Sequence, residues 1–440
     1  MWFFKQKGCY PPKIEKQPLA YWEKFSYLIG IPEDENKVMF DKAMLERVAQ
    51  ISHLSLKHYE WPDEEHERAG SLEFEYKGRP FKAGFYYSDF QISNYLPFQM
   101  QFFSEREILA LKDRGKGLTL FLKIDDKPQE TYKMQLEILS AMLPNSLAFL
   151  DESAEKILNA KWVRLTIEAK TLPSLRDLYS VQAVIDNNED KVWLHTHGLA
   201  RFGLTELEIL DSDQENYANH HEVIATFSDR LLEGETLSED EYGLVLGQLN
   251  NGAPILATYL PWTEGIRYYK NTGLGTLEDR KNDHNAETSL IFFYTNEKNY
   301  RHKKISKVAE INDLLAENPI FYRSKEESSR TRDLAQERFT YLEKGIRKLK
   351  SQSEHYDVLL KLGLKVDKGE TADELEHIWF QLLEINGSKF RAVLTQEPYN
   401  ISHLHEGDEG DYSLSDLTDW ILYTEKNTIT PDTVYLLEAD

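Results

Sequence analysis

The spacing of apolar residues changes several times along the chain, and each change marks a predicted element. Leu19, Trp22, Phe25 and Leu28 recur at three-residue steps and predict a short amphipathic helix over Gln17–Leu28. Met44, Leu45, Val48, Ile51 and Leu54 predict a second helix over Lys42–Leu54. The pattern then alternates. Leu72, Phe74 and Tyr76, a turn at Gly78 and the stretch Phe81–Tyr87 predict a hairpin. Leu118–Ile124 reads as a strand, and Thr131–Met142 as a helix stopped by Leu143-Pro144-Asn145. Asp151 is placed to cap a helix running to Trp162, with Trp162–Ile167 alternating as a strand after it. Val181–Ile185 and Lys191–His197 flank a polar loop and predict another hairpin. Asn216–Leu232 is helical by spacing, with His220, Ile224, Phe227 and Leu231 on one face and Gly234 past its end. Ile255–Leu260 and Ser289–Thr295 are further strands. Lys325–Lys350 reads as one charged helix with a narrow stripe of Leu334, Phe339, Leu342, Ile346 and Leu349. In the tail, Ile378–Glu384 and Phe390–Leu394 are joined by Asn386-Gly387, a strong short hairpin signal, and Trp420–Thr424 forms a strand.

Runs of both periods predict an α+β, multidomain fold of mixed and antiparallel sheets with flanking helices. At 440 residues the chain is too long for one ordinary core. The expected division is an N-terminal α+β domain over 1–95, a central α+β domain over 96–325, a linker helix over 326–355 and a small β-rich domain over 356–440. Charge supports a boundary near residue 355. Glu297–Lys350 holds 14 basic and 9 acidic residues, and Lys365–Asp440 holds 5 basic and 17 acidic.

Apolar content of 41% supplies several cores, so wholesale disorder is excluded. A net charge of −23 argues against nucleic-acid binding, which needs a basic surface, and suits either simple solubility or a basic protein partner. Cys9 is the one cysteine, so no internal disulfide, Cys-rich zinc site or redox pair is available, which fits a reducing, cytoplasmic setting. No run approaches 18 apolar residues and the start lacks a signal-peptide pattern, so no membrane association is expected. The oligomeric state stays open.

The sharpest candidate chemistry is Trp193-Leu194-His195-Thr196-His197. On a strand, His195 and His197 share a side, and two imidazoles facing one point could hold a divalent metal with a third ligand from His220, His221, Asp211 or Asp213. Such an ion could activate water for hydrolysis. The plainer alternative is a half-buried strand face, with no cofactor at all. Arg201, between turn glycines, could hold an anion, or form a structural salt bridge to Glu206 or another acid. Glu376-His377-x-Trp379 could supply a carboxylate–imidazole pair, although neighbours on a strand face opposite sides. Asp419-Trp420 reads as a turn acid beside a core indole, and His403-Leu404-His405 repeats the two-residue spacing within an acidic loop. The zinc-protease pattern fails because Ala225 stands where a second histidine is needed after His221-Glu222. There is no nucleophile elbow, phosphate-binding loop, dinucleotide loop or kinase motif set.

Two motif sets carry a resemblance. Glu376-His377-Ile378-Trp379, the Asn-Gly hairpin, Leu394 to Tyr399, Gly407-Asp408 and Asp419-Trp420 resemble a small bacterial domain of unknown function over roughly 350–440. Gln396 stands where that domain often has Asn. The stretch from Trp193 to Leu210 resembles a second uncharacterised, Firmicute-type family, covering most of 20–330 and often fused to such a tail. Neither family implies a catalytic residue. Small acidic proteins of related look are often grouped with immunity proteins, which bind and block toxin domains. The resemblance therefore implies a non-catalytic, immunity-like protein binder, with a His195/His197 hydrolase and a structural or small-ligand role as alternatives.

Overall fold

The structure is a computed structural model that describes residues 25–38, 40–61, 69–98, 100–186, 190–235, 243–270, 273–283, 288–317, 319–367 and 375–438. Helix and strand are nearly balanced at 35% and 37%, and the fold is α+β and multidomain. The chain divides into two compact units, one of residues 1–100, 110–158 and 174–323, the other of 101–109, 159–173 and 324–440.

The first unit holds two seven-stranded sheets. The first is built from β1 (Phe25–Pro32), β2 (Leu54–Glu60), β3 (Ala69–Tyr76), β4 (Arg79–Asp89), β5 (Lys116–Lys123), β6 (Ser146–Asp151) and β7 (Lys156–Asn159), in the order β2-β3-β4-β5-β1-β6-β7. The predicted hairpin is β3–β4. Lys77 and Gly78 both take positive φ, 50° and 77°, as a two-residue turn between twisted strands requires. Helix α1 (Lys42–Ala49) packs on the longer α3 (Pro128–Met142), which buries Tyr132, Leu136, Ile138 and Leu139 over β1 and β5. A further helix, α2 (Glu105–Lys112), precedes β5.

Two predictions fail here. Phe25–Leu28 is not helical but begins β1, which lies between β5 and β6 and is buried from Leu28 to Pro32; the rest of that predicted helix lies outside the described residues. Three-residue spacing over so short a run cannot tell a helix stripe from a central strand buried on both faces. The helix at Lys42 stops at Ala49, and Leu54 starts β2 after His53 turns the chain at φ 64°.

The second sheet comprises β8 (Ser180–Asp186), β9 (Lys191–His197), β10 (Glu206–Ser212), β11 (Leu244–Gln248), β12 (Pro254–Pro261), β13 (Thr288–Tyr294) and β14 (Ile320–Phe321), in the order β14-β11-β12-β13-β10-β9-β8. It is mixed, because β10 and β13 run parallel. After α4 (Ala160–Glu168) comes α5 (Tyr217–Leu232), which covers one face of this sheet. Val223, Ile224, Phe227 and Leu231 share a core with Leu194, Leu207, Ile209 and Phe293. A smaller cluster of Trp193, Leu210, Leu260, Leu290 and Phe292 lies with Trp262 of α6 (Trp262–Gly265). Short helices α7 (Glu297–Arg301) and α8 (Asn312–Leu315) follow.

The second unit is built on a six-stranded sheet of β15 (Tyr356–Lys365), β16 (Leu375–Asn386), β17 (Lys389–Leu394), β18 (Glu409–Ser413), β19 (Leu417–Thr424) and β20 (Thr428–Ile429), in the order β18-β17-β16-β15-β19-β20. The Asn-Gly hairpin is β16–β17, with Gly387 at φ 65°. One face packs on α9 (Lys325–Glu337) and α10 (Phe339–Gln352). The buried Trp420 indole donates to the Ala335 carbonyl at 3.1 Å, and the Phe339 and Phe390 rings lie 6.0 Å apart.

The expected single helix Lys325–Lys350 is thus two. The break falls at Arg338, whose guanidinium donates to the carbonyls of Pro431 and Leu165. The expected strand Trp162–Ile167 is α4, capped by the Asn159 side chain accepting from the Lys161 N–H. Trp162, Val163, Leu165 and Thr166 are buried at helical spacing, which six alternating residues imitate. The helix expected from Asp151 is replaced by the end of β6, a turn and β7. Among the described residues no helix is long and apolar enough to cross a membrane.

Candidate functional site

From Val192 onward every residue of β9 is buried. Alternation sends Leu194 into the core beneath α5, and Trp193, His195 and His197 to the opposite side. The predicted pair therefore lies side by side in a row of rings, 4.3 Å from Trp193 to His195 and 4.9 Å from His195 to His197. Acids line this row. The Trp193 indole donates to Glu208 at 3.0 Å, and Arg280 grips the same carboxylate with two bonds of 2.8 and 2.7 Å. Arg280 also reaches Thr288 and stacks 4.3 Å over the Trp262 ring. At the other end, His197 Nδ1 lies 3.5 Å from Glu155 Oε1. Glu155 holds φ at 49°, in the left-handed region that costs a side-chain-bearing residue energy. Burial raises the pKa of Glu155, and the Gln182 amide opposes the shift. Burial likewise raises Glu206, against hydrogen bonds from Thr196, Ala200 and Gly198.

The row is rich in titratable groups, and the His197–Glu155 imidazole–carboxylate pair could pass a proton. Among the described residues no three His, Cys, Asp or Glu side chains are grouped to hold a metal ion. His220 does not join the row. It lies on α5 between Ser212 at 2.9 Å and Asn312 at 2.8 Å, and burial lowers its pKa.

Arg201 also points elsewhere. It is 1% exposed and pairs with Asp151, itself 0% exposed, through two bonds of 2.9 and 3.1 Å. It further donates to Ser26 and the Leu178 carbonyl, while Tyr132 donates to Asp151 at 2.8 Å. This pair ties β6 of the first sheet to the loop after β9. Nearby Lys156 is buried with two carbonyl partners, and burial lowers its pKa to about 8.

Sequence reasoning missed Asp151, Lys156, Glu155 and the Glu208–Arg280 pair. One signal was available: Glu208 interrupts the apolar run Leu207 to Leu210, where a buried strand must pair any charge.

In the second unit the tail motif divides among three tasks. Glu376 accepts the backbone N–H groups of Tyr399 and Asn400 at 2.7 and 2.8 Å, pinning the loop after β17. Trp420 is core. Trp379 and Asp419 flank Lys361 in register across three strands, on the side of the sheet away from α9 and α10. The Lys361 ammonium lies 5.4 Å over the Trp379 ring. His377 Nδ1 lies 3.2 Å from Thr418 Oγ1, and burial lowers the His377 pKa. His403 and His405 turn to different acids, Asp367 at 3.5 Å and Glu397 at 2.7 Å. Glu397 raises the pKa of His405.

Comparison with known families matches three domains. Residues 26–173 match "Protein of unknown function (DUF4026) N-terminal", residues 181–292 match "Protein of unknown function (DUF4026) C-terminal", and residues 326–440 match "Uncharacterized protein conserved in bacteria (DUF2314)". No curated protein and no solved structure matches the chain. The first two domains together span more than half of the chain, and it therefore belongs to the uncharacterised bacterial DUF4026 family, with a DUF2314 domain over 326–440.

Proposed function

We propose that this is a non-catalytic recognition protein that binds a basic protein partner through the face of the six-stranded sheet turned away from α9 and α10. The observation that carries the reading is an apolar strip inside an acidic rim. Across five strands, Glu409, Val393, Gln381, Leu359 and Ile421 lie in one register row, beside the row of Trp379, Lys361 and Asp419 and the pair Asp357–Tyr423. Tyr399 projects from the adjoining loop at 89% exposure, and Leu383 stands at 48% at the bulge of β16. Aromatic and aliphatic groups left in water on a sheet face suit the centre of an interface, where such side chains dominate binding. Glu384, Glu397, Glu409 and Asp411 are exposed around them. A rim of one sign speeds encounter with a partner of the other sign and sets specificity.

An immunity-like role, in which this face covers the basic cleft of a toxin domain, is one form of the reading. The single cysteine suits a cytoplasmic setting. The test uses the full chain as bait in an extract of its native host, beside a Glu409→Gln/Asp411→Asn variant. A basic protein retained by the wild type, released as salt rises from about 50 to 300 mM, and retained less by the variant supports the reading. A partner held equally by both, or binding indifferent to salt, counts against it.

A further inference from the structure

A cavity of about 650 Å³ opens in the first unit between the start of α1, the end of α3 and the turn before β5. Its walls combine apolar groups, among them Val38, Met44, Met142 and Leu143, with the guanidinium groups of Arg47 and Arg114. The walls carry three acids, Glu33, Asp34 and Asp41, and three bases, Lys37, Arg47 and Arg114, but the acids are held differently from the two arginines. Asp34 is already engaged by Lys37 at 3.0 Å and by the Asn36 N–H, and Asp41 caps α1 by accepting from the Met44 N–H. Glu33 is exposed to water. Arg47 donates to the carbonyls of Ala141 and Met142 at 2.7 and 3.2 Å, which orients its fork without neutralising it. The Arg114 Nε is enclosed and has no hydrogen-bond partner. Among the described residues neither arginine makes an ion pair. The enclosed Nε is out of a ligand's reach, but Arg114 as a whole is half-buried, and a guanidinium without an ion pair offers a planar fork that matches a carboxylate or phosphate.

We infer that this cavity is a ligand site for a small amphiphilic anion, a carboxylate or phosphate group on an apolar body. The anion meets Arg114 and Arg47, and the body lies along Val38, Met44 and Leu143. The volume suits a compact organic molecule. The site lies in a different unit from the protein-binding face and stands or falls without it.

Calorimetric titration of the full chain with octanoate, octyl phosphate and octylamine tests this, since the three share one body and differ in the head. Saturable one-site binding of either anion is expected, with octylamine at least about tenfold weaker. A preference between the two anions identifies the head group. Arg114→Gln should weaken the preferred anion by about tenfold or more, and Arg114→Lys should recover part of the loss. Val38→Trp, which narrows the cavity without touching a charge, should also reduce binding and decides the matter if Arg114→Gln fails to fold. The inference is overturned if neither anion binds, if octylamine binds as well as the anions, or if Val38→Trp and Arg114→Gln leave affinity unchanged.

Discussion

Trp193 and Trp379 both stand in motifs rich in histidine and acid, and the structure treats them oppositely. Trp193 is 3% exposed, its indole N–H spent on Glu208 and its ring beside His195. Trp379 is half-buried on the sheet face away from α9 and α10, with the Lys361 ammonium over its ring. Around β9 the buried charges close on one another: Glu208 on Arg280, Asp151 on Arg201, and Glu206 on Thr196 and two backbone N–H groups. Burial imposes that closure, because an unpaired charge in a dry interior costs several kcal/mol. The tail face is under no such obligation: its ion pairs, Glu409 with Arg391 and Glu397 with His405, lie at the exposed surface. The motif that looks most reactive in sequence lies in the buried interior of the first unit, and the blander one lies partly at a surface, where the proposed recognition would take place.

Disrupting this contrast should have its largest effect at Arg201. Arg201→Met strands the Asp151 carboxylate, and urea unfolding should register a loss of about 3–5 kcal/mol. Tyr399→Ala on the tail loop should stay within about 0.5 kcal/mol. A loss below about 1 kcal/mol for Arg201→Met would mean that the pair is not structural. The two faces of the tail sheet give the next contrast. Trp420→Ala should cost about 3–5 kcal/mol by opening the core, while Trp379→Ala should cost clearly less, since its side chain is only half-buried. Equal losses would place both indoles in one core.

A smaller, pH-dependent effect belongs to Lys156. Its folded pKa of about 8 lies below the ordinary lysine value of 10.5, so the unfolded chain binds more protons between those values and stability rises with pH across that window. Relative to Lys156→Met, the wild type should be at its greatest disadvantage at pH 7, by about 3 kcal/mol, and should recover as pH climbs past 8. A difference that is flat from pH 7 to 9.5 would show Lys156 to be charged without penalty.

Much of the architecture was legible in the sequence where the period ran long. The β3–β4 and β16–β17 hairpins follow from alternation around Gly78 and Asn386-Gly387, and α5 from four apolar turns closed before Gly234. Short runs misled. Phe25–Leu28 belongs to a central strand and Trp162–Ile167 to a helix, because six residues fit either period and the neighbours decide. The break between α9 and α10 lay beyond reach because it rests on Arg338 binding carbonyls distant in sequence. The alignment of His195 with His197 was readable from strand geometry, whereas Glu155 and Asp151 were not. Asp151 ends β6 and Glu155 lies in the turn before β7, some forty or more positions before the Arg201 and His197 that they meet. The proposed docking face was visible only as net acidity, since which side of a sheet the helices cover depends on where they fold.

The most direct test of the central claim compares two double variants against the basic partner once it is captured. Titration calorimetry with Trp379→Ala/Tyr399→Ala should show affinity reduced by about a hundredfold, as expected for two aromatic anchors, whereas Glu155→Gln/His197→Asn should bind as the wild type does. The reverse result, binding lost with the β9 pair and kept with the tail face altered, would contradict the account and move recognition to the histidine row.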